Sequence, residues 1–192
     1  MEYGLYPNLR MANDGRKVET CMKSELLIGC GNSREKRMCV QGQEKVWESL
    51  TTLDINPDCK PDIEHNLEVF PYPIADSTFD EVHAYEVLEH TGVQGDAHFF
   101  FQQFGELHRI LKPDGFLFAS VPMWNKIWAW GDPSHKRVIS RASLTFLSQE
   151  AYTIQVGKTP MTDFRYIWKR DFPCVWVEEK GDSMHFVLEA RK

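Results

Sequence analysis

Residues 25–33 read Glu-Leu-Leu-Ile-Gly-Cys-Gly-Asn-Ser, an apolar strand running straight into a Gly-x-Gly turn. A side chain at Gly29 or Gly31 would narrow the torsions open to the backbone and fill space that an approaching ligand needs. A strand that ends in such a turn suits an open parallel sheet, in which ligands bind outside the carboxyl ends of the strands. By itself the turn is unspecific, because Gly-x-Gly occurs by chance in many loops. Its weight depends on the segments downstream of it.

Those segments alternate. Strands are predicted at about 25–28, 49–55, 62–67 and 79–85, the second closed by Pro57, which cannot continue a paired ladder. Residues 33–45 are charged and broken by Gly42, so any helix there is short. Residues 86–90 read as helical, and 97–111 place Phe100, Phe104, Leu107, Ile110 and Leu111 at helical spacing. Lys112-Pro113-Asp114-Gly115 forms a turn before a fully apolar strand at 116–121. A Trp-rich loop over 123–135 and a short helix at 141–149 precede two strands, 173–178 and 184–190, that read as an antiparallel hairpin.

Alternating strands and helices imply parallel βα units, and 192 residues suit one domain with its own core. Within residues 1–192 the expected division is a lead-in segment at 1–23, a ligand-binding core at 24–122, an insertion at 123–172 and a closing hairpin at 173–192.

Composition removes several function classes. A net charge of −6 argues against a general nucleic-acid or membrane-surface binder. Five scattered cysteines show no C-x-x-C pair and no histidine at ligand spacing, so free thiols are expected and no metal. No apolar run approaches the roughly 20 residues of a membrane span, and residues 1–4 lack the design of a signal peptide. The expectation is a soluble cytoplasmic protein.

Candidate ligand residues lie where strands end: Gly29, Cys30, Gly31 and Asn32, then Asp54, then Asn66 and Leu67, then Tyr85 and Glu86. Asp54 follows Gly31 by 23 residues, where a carboxylate can accept hydrogen bonds from both ribose hydroxyls of a nucleoside. The bland alternative is an aspartate that caps the turn before Pro57. A nicotinamide dinucleotide is disfavoured, because its pyrophosphate needs a helix N-terminus behind G-x-G-x-x-G. Here Arg34 stands in the last position.

Five segments in order resemble class I S-adenosylmethionine-dependent methyltransferases of the type 11 group. They are Leu-Leu-Ile-Gly-Cys-Gly-Asn (26–32), Leu-Asp-Ile-Asn-Pro (53–57), Phe-Pro-Tyr-Pro-Ile-Ala-Asp-Ser-Thr-Phe-Asp-Glu-Val (70–82), Val-Leu-Glu-His (87–90) and Glu-Leu-His-Arg-Ile-Leu-Lys-Pro-Asp-Gly (106–115). The resemblance implies a Rossmann-like, doubly wound α/β fold with a seven-stranded, mostly parallel sheet and an antiparallel C-terminal hairpin. It implies S-adenosyl-L-methionine as cofactor. Gly29, Cys30, Gly31 and Asn32 would line its methionine and ribose part, Asp54 would hold the ribose diol, and Ile55 would lie against the adenine. Asn66 and Leu67 would meet the adenine edge, and Tyr85 and Glu86 the amino-acid end and the methyl group. The family usually carries an acid two positions before the first glycine, where this chain has Leu27. That leaves the cofactor ammonium without its usual partner.

A sulfonium is an activated methyl donor, so transfer needs mainly alignment of the acceptor and exclusion of water. A general base enters only if the acceptor must lose a proton. His90 and His135 are the candidates, with a plain helix-surface role as the alternative for His90. On the substrate side stand Trp124, Trp128, Trp130, Asp132, His135 and Arg137, aromatic walls with a few polar groups, as a small organic substrate needs. The alternative is that these tryptophans simply pack the sheet. The expected acceptor is a small molecule or nucleobase-like group. A nucleic-acid substrate, which could stack on tryptophans, and a non-catalytic protein that binds an adenosyl ligand are the competing readings.

Overall fold

A computed structural model describes residues 22–40 and 42–192. The lead-in at 1–21, with Cys21, lies outside the described residues. Seven strands form one sheet: β1 (Ser24–Ile28), β2 (Ser49–Asp54), β3 (Ile63–Glu64), β4 (Phe79–Tyr85), β5 (Leu111–Pro122), β6 (Cys174–Lys180) and β7 (Ser183–Glu189), in the order β3-β2-β1-β4-β5-β7-β6. β1 to β5 pair in parallel, and β7 runs antiparallel between β5 and β6. This is the expected α/β sheet with its antiparallel hairpin. The strand order reverses at β1, whose neighbours are β2 on one side and β4 on the other, and ligands favour such a switch point.

Side chains alternate across the sheet, as the two-residue period of a strand requires. Leu26 and Ile28 of β1, Val82 and Ala84 of β4, Leu117, Ala119 and Val121 of β5, and Phe186 and Leu188 of β7 face one way into the larger core. Helix α1 (Ala97–Ile110) closes that core with Phe101, Phe104, Leu107 and Ile110, and starts at Asp96, whose carboxylate accepts from the Phe99 amide. Asp96→Ala would leave that amide without its cap.

The opposite face carries Glu25, Leu27, Glu81, His83, Tyr85, Phe118 and Val187. Among the described residues no helix covers it. Residues 33–40 cross it without helical structure and bury Lys36, Met38 and Val40.

Several expected elements moved. The turn at 112–115 is absorbed into β5 as a bulge: Leu111 already pairs with Phe79, the register shifts, and pairing resumes at Glu81 with Phe116. Asp114 takes the left-handed conformation that this detour requires (φ 60°). The third strand shortens to Ile63–Glu64. The helix expected at 141–149 splits into α3 (Arg141–Thr145) and α4 (Gln149–Gln155), because Ser148 caps a new N-terminus by accepting from the Ala151 amide. The Trp-rich loop contains one short turn of helix, α2 (Trp128–Gly131). Among the described residues no helix is long and apolar enough to cross a membrane.

Candidate functional site

At the carboxyl ends of β1, β2 and β4 the backbone turns away from the sheet and leaves a cavity of about 310 Å³, within the range of small-ligand sites. Gly29, Gly31, Leu53, Asp54 and Ile55 form one wall, and His65, Asn66, Leu67 and Glu68 a second. Glu86, Val87, His90, Thr91 and Lys136 close the third.

The glycine turn opens this space for two separate reasons. Gly29 (φ 61°) has Val87 against it, and a Cβ there would stand 2.3 Å from a Val87 methyl. Gly31 (φ 49°) faces open space, with nothing within 4 Å of where its Cβ would be. Gly29 is therefore held by packing, whereas Gly31 leaves room for a ligand. The Asp54 carboxylate fastens the turn to the next strand, accepting from the Gly31 amide at 2.8 Å and from the Asn56 amide at 2.9 Å. Those two bonds leave lone pairs on both oxygens.

Glu86 ends β4 with a left-handed backbone (φ 52°), an uncommon conformation for a non-glycine residue and one that gathers at functional sites. It turns the chain into the short 3-10 segment Leu88–His90. The amides of Lys136 and Arg137 donate to the Glu89 carbonyl at 2.9 and 3.3 Å, stitching the segment after the Trp-rich loop to this turn. Lys136 also holds Glu68 at 2.8 Å, and this bond, joined by one from the Gly92 amide, keeps the Glu68 carboxyl below its usual range.

Beside the cavity, Glu89 is 2% exposed, and neither of its carboxylate oxygens has a hydrogen-bond partner. Burial, with the charge of Glu86 adding to it, pushes its carboxyl up to about 8. His135 packs edge-on against His90 with ring centres 4.7 Å apart, and its buried Nδ1 is also unpartnered. Desolvation, and then the nearness of His135, lower the His90 imidazole below its ordinary value.

Of the residues expected to meet the cofactor, the structure gathers Gly29, Gly31, Asp54, Ile55, Asn66, Leu67 and Glu86 around one cavity, with His90 at its edge. It does not bring the others there. Tyr85 alternates to the far face of the sheet, where its hydroxyl accepts from the Met38 amide at 3.1 Å and bonds His83 Nδ1 at 2.6 Å. Cys30 is buried in that second core, and Asn32 is exposed outside the cavity. Arg137, expected on the substrate side, is buried instead: it donates to the Leu88 carbonyl, Thr91 Oγ1 and Gln103 Oε1. Trp124, Trp128 and Trp130 are exposed rather than packed on the sheet. Trp124 and Trp130 line an open groove with Gln94 and Arg141, and the Trp130 indole donates to the Trp124 carbonyl at 2.8 Å.

Sequence reasoning missed Leu53, His65, Glu68, Val87 and Thr91 in the cavity wall. It also missed Glu89, although the residue sits between two that were singled out, Glu86 and His90. Glu25, two residues before Leu27, offers no substitute for the missing acid. It is fully buried, paired with Lys36, and accepts from the Glu48 amide at 2.6 Å.

A family model described as a methyltransferase domain matches residues 26–119. Among solved structures, a SAM-dependent methyltransferase from Archaeoglobus fulgidus is 13% identical, with a TM-score of 0.53 over 88% of this chain and 86% of that one. A SAM-dependent methyltransferase from Methanosarcina mazei is 16% identical, with a TM-score of 0.53 over 88% and 93%. The N-methyltransferase NodS from Bradyrhizobium japonicum, in complex with S-adenosyl-L-homocysteine, is 15% identical, with a TM-score of 0.51 over 88% and 78%. No curated protein sequence matches the chain.

Proposed function

We propose, for a chain that belongs to the class I S-adenosylmethionine-dependent methyltransferases and uses S-adenosylmethionine as its cofactor, that the cavity at the ends of β1, β2 and β4 is where that cofactor binds. The observation that carries this is Asp54: its carboxylate stands on the Gly31 amide, in the wall of a cavity into which Gly31 puts no side chain. Leu53, Ile55 and Leu67 supply apolar surface for an adenine, and Asn66 a polar edge. S-adenosylmethionine supplies a methyl group already activated on a sulfonium.

The residues of this chain bind, orient and exclude water. Asp54 accepts from the ribose hydroxyls. Glu86 offers the carboxylate that Leu27 lacks and holds the ammonium end, since Glu25 is committed to Lys36 on the far face. Glu86 and His90 together mark the side from which the acceptor approaches. His135 stands behind His90, outside the cavity wall.

The acceptor is a small molecule or a nucleobase-like group, held between residues 85–90 and the Trp-rich segment. The exposed Trp124, Trp128 and Trp130 favour a flat or apolar acceptor. They would also stack an unpaired base, but a net charge of −6 works against a polyanion. The segment 123–172 then serves as the substrate-side insertion, and the dispersed cysteines fit a cytoplasmic setting.

Calorimetric titration with S-adenosylhomocysteine tests the reading. One site is expected, and Asp54→Ala weakens it by about 3 kcal/mol, roughly 100-fold, through the loss of two charge-assisted hydrogen bonds. Equal affinity in the variant and the parent protein would overturn it.

A further inference from the structure

A buried carboxyl group with no hydrogen-bond partner is costly, and native structures rarely keep one without a reason. Glu89 is such a group: it is 2% exposed, and both of its oxygens are unpaired. One ligand atom each from Glu89, His90 and His135 lie within 4.8 Å of one another. The polar groups around the two imidazoles indicate which nitrogens are free.

The Ser134 hydroxyl donates its single proton to Asp132 Oδ1 at 2.6 Å, so at His90 its oxygen accepts from Nδ1–H, at 3.1 Å. That leaves the lone pair of His90 on Nε2. His135 turns Nε2 toward Asp132 Oδ2 at 3.8 Å, and a proton there leaves its lone pair on Nδ1, the buried atom without a partner. A single acidic residue, Asp132, thus stands beside both rings, reaching His90 through Ser134 and lying 3.8 Å from His135. Carboxylates and hydroxyls in this position orient histidine ligands in metal sites.

We propose that Glu89, His90 and His135 form a binding site for a divalent metal ion at the rim of the cofactor cavity. Two imidazoles with one carboxylate suit a first-row transition ion such as Mn²⁺, Co²⁺ or Zn²⁺ better than Mg²⁺, which prefers an all-oxygen shell. Glu86 adds negative charge nearby and faces the cavity. Three protein ligands leave open positions on the ion, and an acceptor hydroxyl taking one of them would be held and acidified. His90 and His135 then act through the ion rather than as free bases. Binding of the ion is independent of the proposed cofactor site, while its role toward the acceptor rests on that reading.

The test uses untagged protein stripped of metal with a chelator, into which Co²⁺ is titrated by calorimetry and visible absorption. The expected result is one equivalent bound, with a cobalt spectrum of mixed nitrogen and oxygen ligation. His90→Ala and Glu89→Gln should each weaken it by about 10–100-fold or more, and Asp132→Asn by about 10-fold through loosened rings. His90 is partly exposed, so its variant keeps the test sound if Glu89→Gln disturbs folding, which circular dichroism reports. No saturable binding, or binding that none of these variants changes, would overturn the inference. S-adenosylhomocysteine titrated into the same stripped protein separates the outcomes. Its binding without any metal binding refutes only the ion, whereas its failure to bind refutes the proposed cofactor site.

Discussion

Two clusters in this molecule are built from the same side chains and have opposite fates. On the far face of the sheet, Glu25, Glu81 and His83 are all buried, with ligand atoms as close together as those of Glu89, His90 and His135. There every group is answered. Lys36 is paired with Glu25 and stands 3.0 Å from Glu81, and Lys23 reaches Glu81 at 2.7 Å. The Met38 amide donates to the Tyr85 hydroxyl, which donates to His83 Nδ1, and His83 Nε2 donates to Glu81 at 3.2 Å.

Burial works against ionising Glu81. The hydrogen bond from His83, the charge of Lys36 and the hydrogen bond from Lys23 nevertheless hold its carboxyl far below the usual range. Desolvation keeps the His83 imidazole below its ordinary value. This cluster stands in for a helix: it ties the non-helical segment at 33–40 to β1 and β4. At the cavity rim, by contrast, both Glu89 carboxyl oxygens and His135 Nδ1 are left without partners. Each cluster sets buried glutamate beside histidine, so residue type does not mark the site. What marks it is the lack of partners.

The sharpest way to break this contrast is to remove the shared cation. Lys36→Met leaves two buried carboxylates facing each other, and should cost about 3–5 kcal/mol of unfolding free energy by denaturant titration. A loss under about 1 kcal/mol would mean that the far-face cluster is not structural.

Acid probes the same cluster more gently. Glu81 and His83 both have folded pKa values below their unfolded ones, so their contribution is present at neutral pH and is lost on acidification. The His83 part fades below about pH 6.5, and the Glu81 part below about pH 4.3. Lys23, Lys36 and Glu25 face the pair from neighbouring segments. Glu81→Gln should flatten the stability profile on the acid side, measured by denaturant midpoints from pH 5 to pH 2. An unchanged slope would contradict the pairing described.

The smallest expected effect is at the rim. In metal-free protein Glu89→Gln replaces an unpartnered buried acid with a neutral amide, and should leave stability within about 1 kcal/mol of the parent protein or raise it. A loss as large as that of Lys36→Met would show Glu89 to be paired after all.

Much of the ligand cavity was legible, and for local reasons. The glycine turn, Asp54, Asn66 with Leu67, and Glu86 all lie at strand ends, and a parallel sheet brings strand ends together whatever the detail between them. The two-residue period also carried a signal that went unused. Glu81, His83 and Tyr85 alternate within β4 and so share a face, which both predicts their cluster and removes Tyr85 from the cavity.

What could not be read was the meeting of His135 and Arg137 with the turn at 88–90. It depends on how the segment after α2 folds back, and the backbone amides of Lys136 and Arg137 on the Glu89 carbonyl decide it. No spacing encodes that. Arg137 looked like a substrate contact because its buried partners, Thr91 and Gln103, come from distant parts of the chain.

The most direct test of the division between a structural cluster and a ligand cavity is thermal unfolding with and without saturating S-adenosylhomocysteine, in Lys36→Met and Asp54→Ala side by side. At a ligand concentration 100 times Kd the parent protein should gain about 2.7 kcal/mol, or roughly 5–10 °C in Tm. Lys36→Met should melt far earlier yet keep that gain, while Asp54→Ala should melt within a few degrees of the parent protein and lose it. A full ligand shift in Asp54→Ala, or its disappearance in a still-folded Lys36→Met, would contradict the account.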